Sequence, residues 1–310
     1  MKPVFFCLLL VIKYYSTTAQ HCGTVLDSES KEPVQYTTIG YLNKPFGTYA
    51  NDKGEFCIEL QNISEKDSIL FSGLGYKPLK ISVLDFSKQN TFYLEEQITV
   101  LNEVVVKKRD YKTIQVGNFN KKTIFSTESG FGPNGNSLLA TKIQKPNEIE
   151  QGLISKIQYR LETERGRFIS VKRFRMRCRI FADLDGKPGK DILTENVVID
   201  LDPKQNMLEV DISKYNLPFD KTYLWLAIET LGYVNENGVF IANQDKQLGK
   251  HIPKKANSKK MIVDSLSPIF PRNKAGLQSL TTYSSKTTKW LPLYIPEPDK
   301  NFLFGLTLEY

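Results

Sequence analysis

Histidine is almost missing from this chain of 310 residues: there are two, His21 and His251. That scarcity excludes much chemistry. A zinc carboxypeptidase needs paired histidines and a glutamate on its metal, and neither H-x-x-E nor H-E-x-x-H occurs. A Ser-His-Asp triad would have to use His251, and no G-x-S-x-G elbow accompanies it. Cysteine is scarce too, with four in all. Their odd number after Cys7, namely Cys22, Cys57 and Cys178, argues against a full disulfide framework, and their spacing fits no zinc pattern. Beyond residue 12 no apolar run is long enough for a membrane helix, so no transmembrane segment is expected in the mature chain. Long amphipathic helical patterns are also lacking. Gly130, Gly132 and Gly135 match G-x-G-x-x-G, but no βαβ pattern surrounds them, and Pro133-Asn134 suits a plain loop. No cofactor site is expected.

What is present is β-sheet sequence. From Gly23 to Leu60 apolar and polar residues alternate, which sends every second side chain to one face. Val34, Tyr36 and Thr38 share one parity, and Phe56, Ile58 and Leu60 another. The breaks are turn chemistry: Asp27–Ser30 with Pro33 just after, then Asn51-Asp52-Lys53-Gly54. Ser68–Val83 continues as an apolar run that Gly73, Gly75 and Pro78 are expected to bend.

Before this lies Met1–Ala19, with Lys2, the apolar run Val4–Ile12 and small residues up to Ala19. It has the form of a secretory signal peptide. Removing Lys2 and Lys13 with it lowers the formal charge from +8 to +6, a mild basic excess. In an exported chain Cys22 and Cys57 can bridge, while Cys178 suits a buried free thiol.

The motifs G-x-V-x-D-x-x-x-x-x-P-V at Gly23–Val34, N-D-x-G-E-F at Asn51–Phe56 and G-Y-K at Gly75–Lys77 resemble the carboxypeptidase-regulatory-like domain. The resemblance covers about Cys22 to Lys107. It implies a transthyretin-like seven-stranded β-sandwich, common in exported proteins of Bacteroidetes-type bacteria and itself non-catalytic. Leu101–Val106 resembles the segment that joins this domain to the plug of TonB-dependent transporters, but the barrel's many further strands are absent from this sequence.

Residues 108–136 read as a polar linker. After it the pattern is again short strands: Leu138–Ile143, Gly152–Arg160, Val171–Phe181, Asn196–Leu201, Leu208–Ile212, Thr222–Leu231, Val239–Ala242 and Phe302–Tyr310. Their number and turn-rich joints imply a jelly-roll-like antiparallel sandwich. The stretch Leu138–Tyr310 also resembles a β-sandwich that follows the regulatory-like domain in uncharacterised exported proteins, which brings a fold but no activity.

Within it, Phe174, Met176, Cys178 and Ile180 face one way and Arg173, Arg175, Arg177 and Arg179 the other. Such a basic stripe suits an anionic polymer, or else carboxylates on neighbouring strands. No nucleic-acid-binding motif goes with it. Asp183-Leu184-Asp185-Gly186, with Asp191, has part of a calcium loop, although Lys187 stands where a ligand is needed; an Asp-stabilised turn explains the same residues. Tyr223 and Trp225 share a face opposite Leu224, Leu226 and Ile228, and Trp290 lies near Pro292 and Tyr294. Exposed, these aromatics would form a sugar platform; packed, they would be core. Lys246–Lys260 reads as a surface loop.

The expectation is therefore an all-β chain: signal peptide at 1–19, regulatory-like sandwich at 20–107, linker at 108–136, larger sandwich at 137–310. Its function would be non-catalytic binding in the periplasm or at the cell surface, in association with the outer membrane. The partner would be an anionic or neutral glycan or another envelope protein, and no nucleic acid. The alternative is a carbohydrate-active hydrolase with a carboxylate pair in the second sandwich.

Overall fold

Alternating strands dominate the structure. It is a computed structural model that describes residues 20–42, 47–60, 64, 66–97, 111–118, 137–161, 171–202, 204–242, 272–274, 279–283, 290–292 and 300–310. The leader with Cys7, the glycine motif at 130–135 and the loop at 246–260 with His251 lie outside the described residues.

The first unit contains β1 (Gln20–Asp27), β2 (Thr38–Tyr41), β3 (Gly47–Tyr49), β4 (Glu55–Glu59), β5 (Ser68–Ser72), β6 (Leu79–Ser82) and β7 (Thr91–Leu94), with the one-turn helix α1 (Val83–Phe86) before the last. One sheet has the order β4-β1-β7 and the other β3-β2-β5-β6. Four phenylalanines, Phe56, Phe71, Phe86 and Phe92, fill the space between them, with Phe71 stacked on Phe92 at 4.6 Å. The β1–β4 register sets Cys22 opposite Cys57, and a disulfide joins them.

The motif residues hold turns. Asp27 Oδ1 accepts the Glu29 and Ser30 amides at 2.8 and 2.7 Å, closing the turn after β1. Asn51 Oδ1 accepts the Lys53 and Glu55 amides. Gly54 completes that turn at φ 73°, where an added Cβ would lie 2.5 Å from the Val25 carbonyl. One expectation fails here. The alternation from Val34 suggested continuous strand, but Tyr36 has φ 53° and β2 begins only at Thr38. A bulky residue in that region is uncommon and needs outside support.

The second unit is a sandwich of two larger sheets. One consists of β8 (Thr113–Gly117), β10 (Leu153–Arg160), β14 (Met207–Asp211), β15 (Leu217–Pro218) and β22 (Phe304–Glu309), in the order β14-β10-β22-β8 with β15 on β10. The other consists of β9 (Ser137–Gln144), β11 (Val171–Leu184), β12 (Lys187–Asp191), β13 (Val197–Leu201), β16 (Tyr223–Asn235), β17 (Phe240–Ala242), β19 (Ser279–Tyr283) and β20 (Leu291–Pro292). Its order is β12-β11-β16-β9-β19-β20, with β13 on β11 and β17 on β16. A separate pair joins β18 (Arg272–Lys274) to β21 (Lys300–Phe302). Phe174, Met176, Cys178 and Ile180 of β11 and Leu224, Leu226 and Ile228 of β16 all enter the core between the two sheets.

Two stretches differ from the sequence expectation. Thr113–Gly117, placed in the linker, is β8; it pairs with the last strand, and Val116 joins the core. Lys187–Asp191, expected as turn, is strand β12, because Asp185 (φ 51°) and Gly186 (φ 77°) form a two-residue reversal between Leu184 and Lys187. Asp-Gly accepts the positive φ that such a hairpin requires.

The two sandwiches touch. Leu74 of the first packs against the main core of the second. Gly75, at φ 84°, passes so near residue 194 that an added Cβ would sit 3.3 Å from the Thr194 carbonyl oxygen.

Candidate functional site

The outer face of β11 is where the first unit docks. Period-two alternation puts the arginines there, and the antiparallel registers set Arg177 beside Glu229 of β16 and Arg175 beside Asp200 of β13. Arg173 stays half exposed, its Nη1 3.9 Å from Asp200 Oδ2. Arg175 donates twice to Asp200, Nε to Oδ1 at 2.8 Å and Nη2 to Oδ2 at 3.0 Å. Its Nη1 lies 3.4 Å from the Tyr36 hydroxyl of the first sandwich.

Arg177 is the centre of the contact. Its side chain is 3% exposed and that of Glu229 is 0%. Nε donates to Glu229 Oε2 at 2.8 Å, and Nη1 donates to the Tyr36 carbonyl at 3.0 Å and to Asn196 Oδ1 at 3.1 Å. The Tyr49 hydroxyl donates to Glu229 Oε1 at 3.0 Å. Tyr36 and Tyr49 pack with Leu231 in a small apolar cluster beside this network. The left-handed backbone of Tyr36 thus has its external support, since its carbonyl and ring are both held by the second sandwich.

Arg179 continues the row. Its Nε donates to Asp191 Oδ2 at 2.7 Å, and its guanidinium lies 4.8 Å over the Phe181 ring. Burial pushes the Asp191 carboxyl above the usual aspartate value, more than Arg179 draws it down. Burial works against the Arg179 charge, but Asp191 and Glu229 outweigh it and hold the proton more tightly. The stripe is therefore not a free groove: the carboxylates on neighbouring strands, expected as the alternative, are its partners, and the first sandwich covers part of it. All four arginines lie within ion-pair distance of a carboxylate, Arg173 at the longest, 3.9 Å, and Arg175, Arg177 and Arg179 with hydrogen bonds as well.

The aromatic platform is corrected as well. Trp225 is 0% exposed and donates its indole N–H to Asp183 Oδ1 at 2.8 Å. It packs with Leu138, Ala140, Phe181 and Ala227, and half-buried Trp290 meets Phe181 edge-on at 5.2 Å. Tyr223 is half buried, with Lys142 Nζ 4.2 Å over its ring. The outer face of this sheet thus carries its own apolar cluster, so face parity alone did not decide exposure.

Asp183, Asp185 and Asp191 do not converge as a calcium loop. Asp183 accepts from Trp225 and pairs with Lys142 at 3.2 Å, Asp191 pairs with Arg179, and Asp185 sits exposed in the hairpin turn. Among the described residues no group of three His, Cys, Asp or Glu side chains is placed to hold a metal ion. Cys178 is a free, buried thiol, and burial pushes it up to about 12.

Between the sandwiches a cleft of about 1250 Å³ opens. Arg177 and Arg179 line it, with residues 72–76, Gln35 and Gln97 from the first unit and residues 189–196 from the second. The sequence signalled none of this, because no local pattern states which loops of two domains will face each other.

Fold and site together define a chain of two β-sandwiches joined by hydrogen bonds between Tyr36 and Tyr49 of the first and a buried ion pair of the second. Its first sandwich is a CarboxypepD_reg-like domain: that family's model matches residues 21–106. No curated protein matches the chain.

Proposed function

We propose that this chain is an exported, non-catalytic interaction module of the cell envelope, working as one two-domain unit. The observation that carries the reading is the docking of the first sandwich on the arginine face through Arg177–Tyr36 and Tyr49–Glu229. Burying a guanidinium and a carboxylate there favours one fixed arrangement of the two domains over independent tumbling. The regulatory-like family is non-catalytic, which supports a binding role. Export draws support from the leader-like start and from the Cys22–Cys57 bond, which suits an oxidising compartment. Against a hydrolase stands the engagement of Asp191 and Glu229 with arginines.

The test is expression of the full chain, leader included, in a bacterium with two membranes. The expected product is processed at Gln20, lies outside the cytoplasm and releases no reducing ends from acidic or neutral polysaccharides. An unprocessed cytoplasmic product, or released reducing ends, would contradict the reading.

A further inference from the structure

We infer that the cleft between the two sandwiches is a binding site for a carboxylated oligosaccharide, with the Arg179 guanidinium as its anchor; this rests on the binding-module reading above. The four stripe arginines are not equivalent. Arg175 has spent its planar fork on Asp200, and Arg177 is consumed by Glu229, Tyr36 and Asn196. Arg179 has given only its Nε–H, to Asp191. Its Nη1 is 3.7 Å from Glu229, beyond hydrogen-bond length, and among the described residues no acceptor takes an Nη hydrogen.

That guanidinium is also held in place. Asp191 fixes its Nε edge and Phe181 lies under its face, while the residue lines the cleft with its side chain 22% exposed. A fixed fork with unclaimed N–H groups matches the two oxygens of a carboxylate, and pre-organisation spares the entropy of ordering it. The cleft of about 1250 Å³ exceeds what one small molecule needs and suits several sugar rings. Gln35, Ser72, Gln97 and Thr194 supply uncharged hydrogen-bonding groups along both walls, as a polyhydroxyl chain requires. Glu96 and Glu195 offset Lys190, so the cleft is no basic funnel. Recognition rests on one fork, and salt weakens it only modestly.

The experiment is isothermal titration of the full mature chain with tetragalacturonate, with its methyl ester, and with a short peptide bearing a free C-terminal carboxylate. Two variants accompany it. R179K keeps the charge beside Asp191 and loses the fork; S72W fills the cleft from an exposed position on the opposite wall. Near-ultraviolet circular dichroism checks each fold, and should R179K not fold, S72W and the ester arm decide. The expected result is binding of tetragalacturonate that weakens about tenfold or more on methyl esterification, in R179K and in S72W. No binding, binding unchanged in both variants, or equal affinity for the peptide would overturn the site or its ligand class. Shortened oligosaccharide in the cell after titration would instead overturn the non-catalytic reading on which the proposal rests.

Discussion

Replacing Glu229 by glutamine probes the buried ion pair on which the first sandwich rests. The carboxylate is fully buried, it pairs with an Arg177 side chain that is 3% exposed, and it accepts the Tyr49 hydroxyl from the other sandwich. The amide keeps the shape and removes the charge, so the guanidinium stays buried with no counter-ion of its own. Breaking a buried pair this way costs about 3–5 kcal/mol. Replacing both members, Arg177→Met with Glu229→Gln, removes the stranded charge and should recover more than half of that loss, which is the non-additivity expected of two groups in contact. Guanidinium unfolding followed by tryptophan fluorescence reads both effects, because Trp225 lies on the strand that carries Glu229. A single variant within about 0.5 kcal/mol of the parent, the size of an ordinary surface change, would refute the reasoning.

Other consequences follow from single groups. Opening the Cys22–Cys57 bond by Cys57→Ser, with a separation of 35 residues, should destabilise the first sandwich by about 3–4 kcal/mol, measurable by denaturant unfolding with and without reductant. Burial raises the Asp183 carboxyl, but the Trp225 indole, Lys142 and the Gly186 amide outweigh it and hold it below the usual value. Its contribution is therefore present above the unfolded-state pKa and lost as pH falls through the lower folded one. Unfolding midpoints should drop below about pH 4 in the parent, and less so in Asp183→Asn. The Cys178 thiol should stay unreactive to Ellman's reagent at pH 8 until the second sandwich unfolds, and fast labelling of the native chain would contradict its burial.

Much of the fold was legible because strand periodicity is local. Phe174 to Ile180 alternate so regularly with the arginines that both faces of β11 could be assigned from sequence, and both are as assigned. The destiny of the outer face was not legible. Whether Arg177 meets water, a ligand or Tyr36 depends on a domain in which Tyr36 lies 141 positions away. Trp225 shows the same limit from the apolar side, since its face is outer with respect to the sandwich yet covered by a second cluster. Strand β8 is not legible in the sequence because its partner is the distant strand β22, and five residues carry too little alternation to stand alone. For strand β12, Asp185-Gly186 is a hairpin signal, but the same residues also fit a partial calcium loop.

The central claim is that the first sandwich covers the arginine face of the second. The most direct measurement is a nuclear Overhauser contact between the rings of Tyr36 and Phe240 in the full chain, selectively labelled at tyrosine and phenylalanine. Their centroids lie 6.5 Å apart, edge to face, and belong to different sandwiches. The account predicts a cross-peak that disappears in denaturant. With both sandwiches folded, absence of that cross-peak would mean that the arginine face is open, and the docking described above would be contradicted.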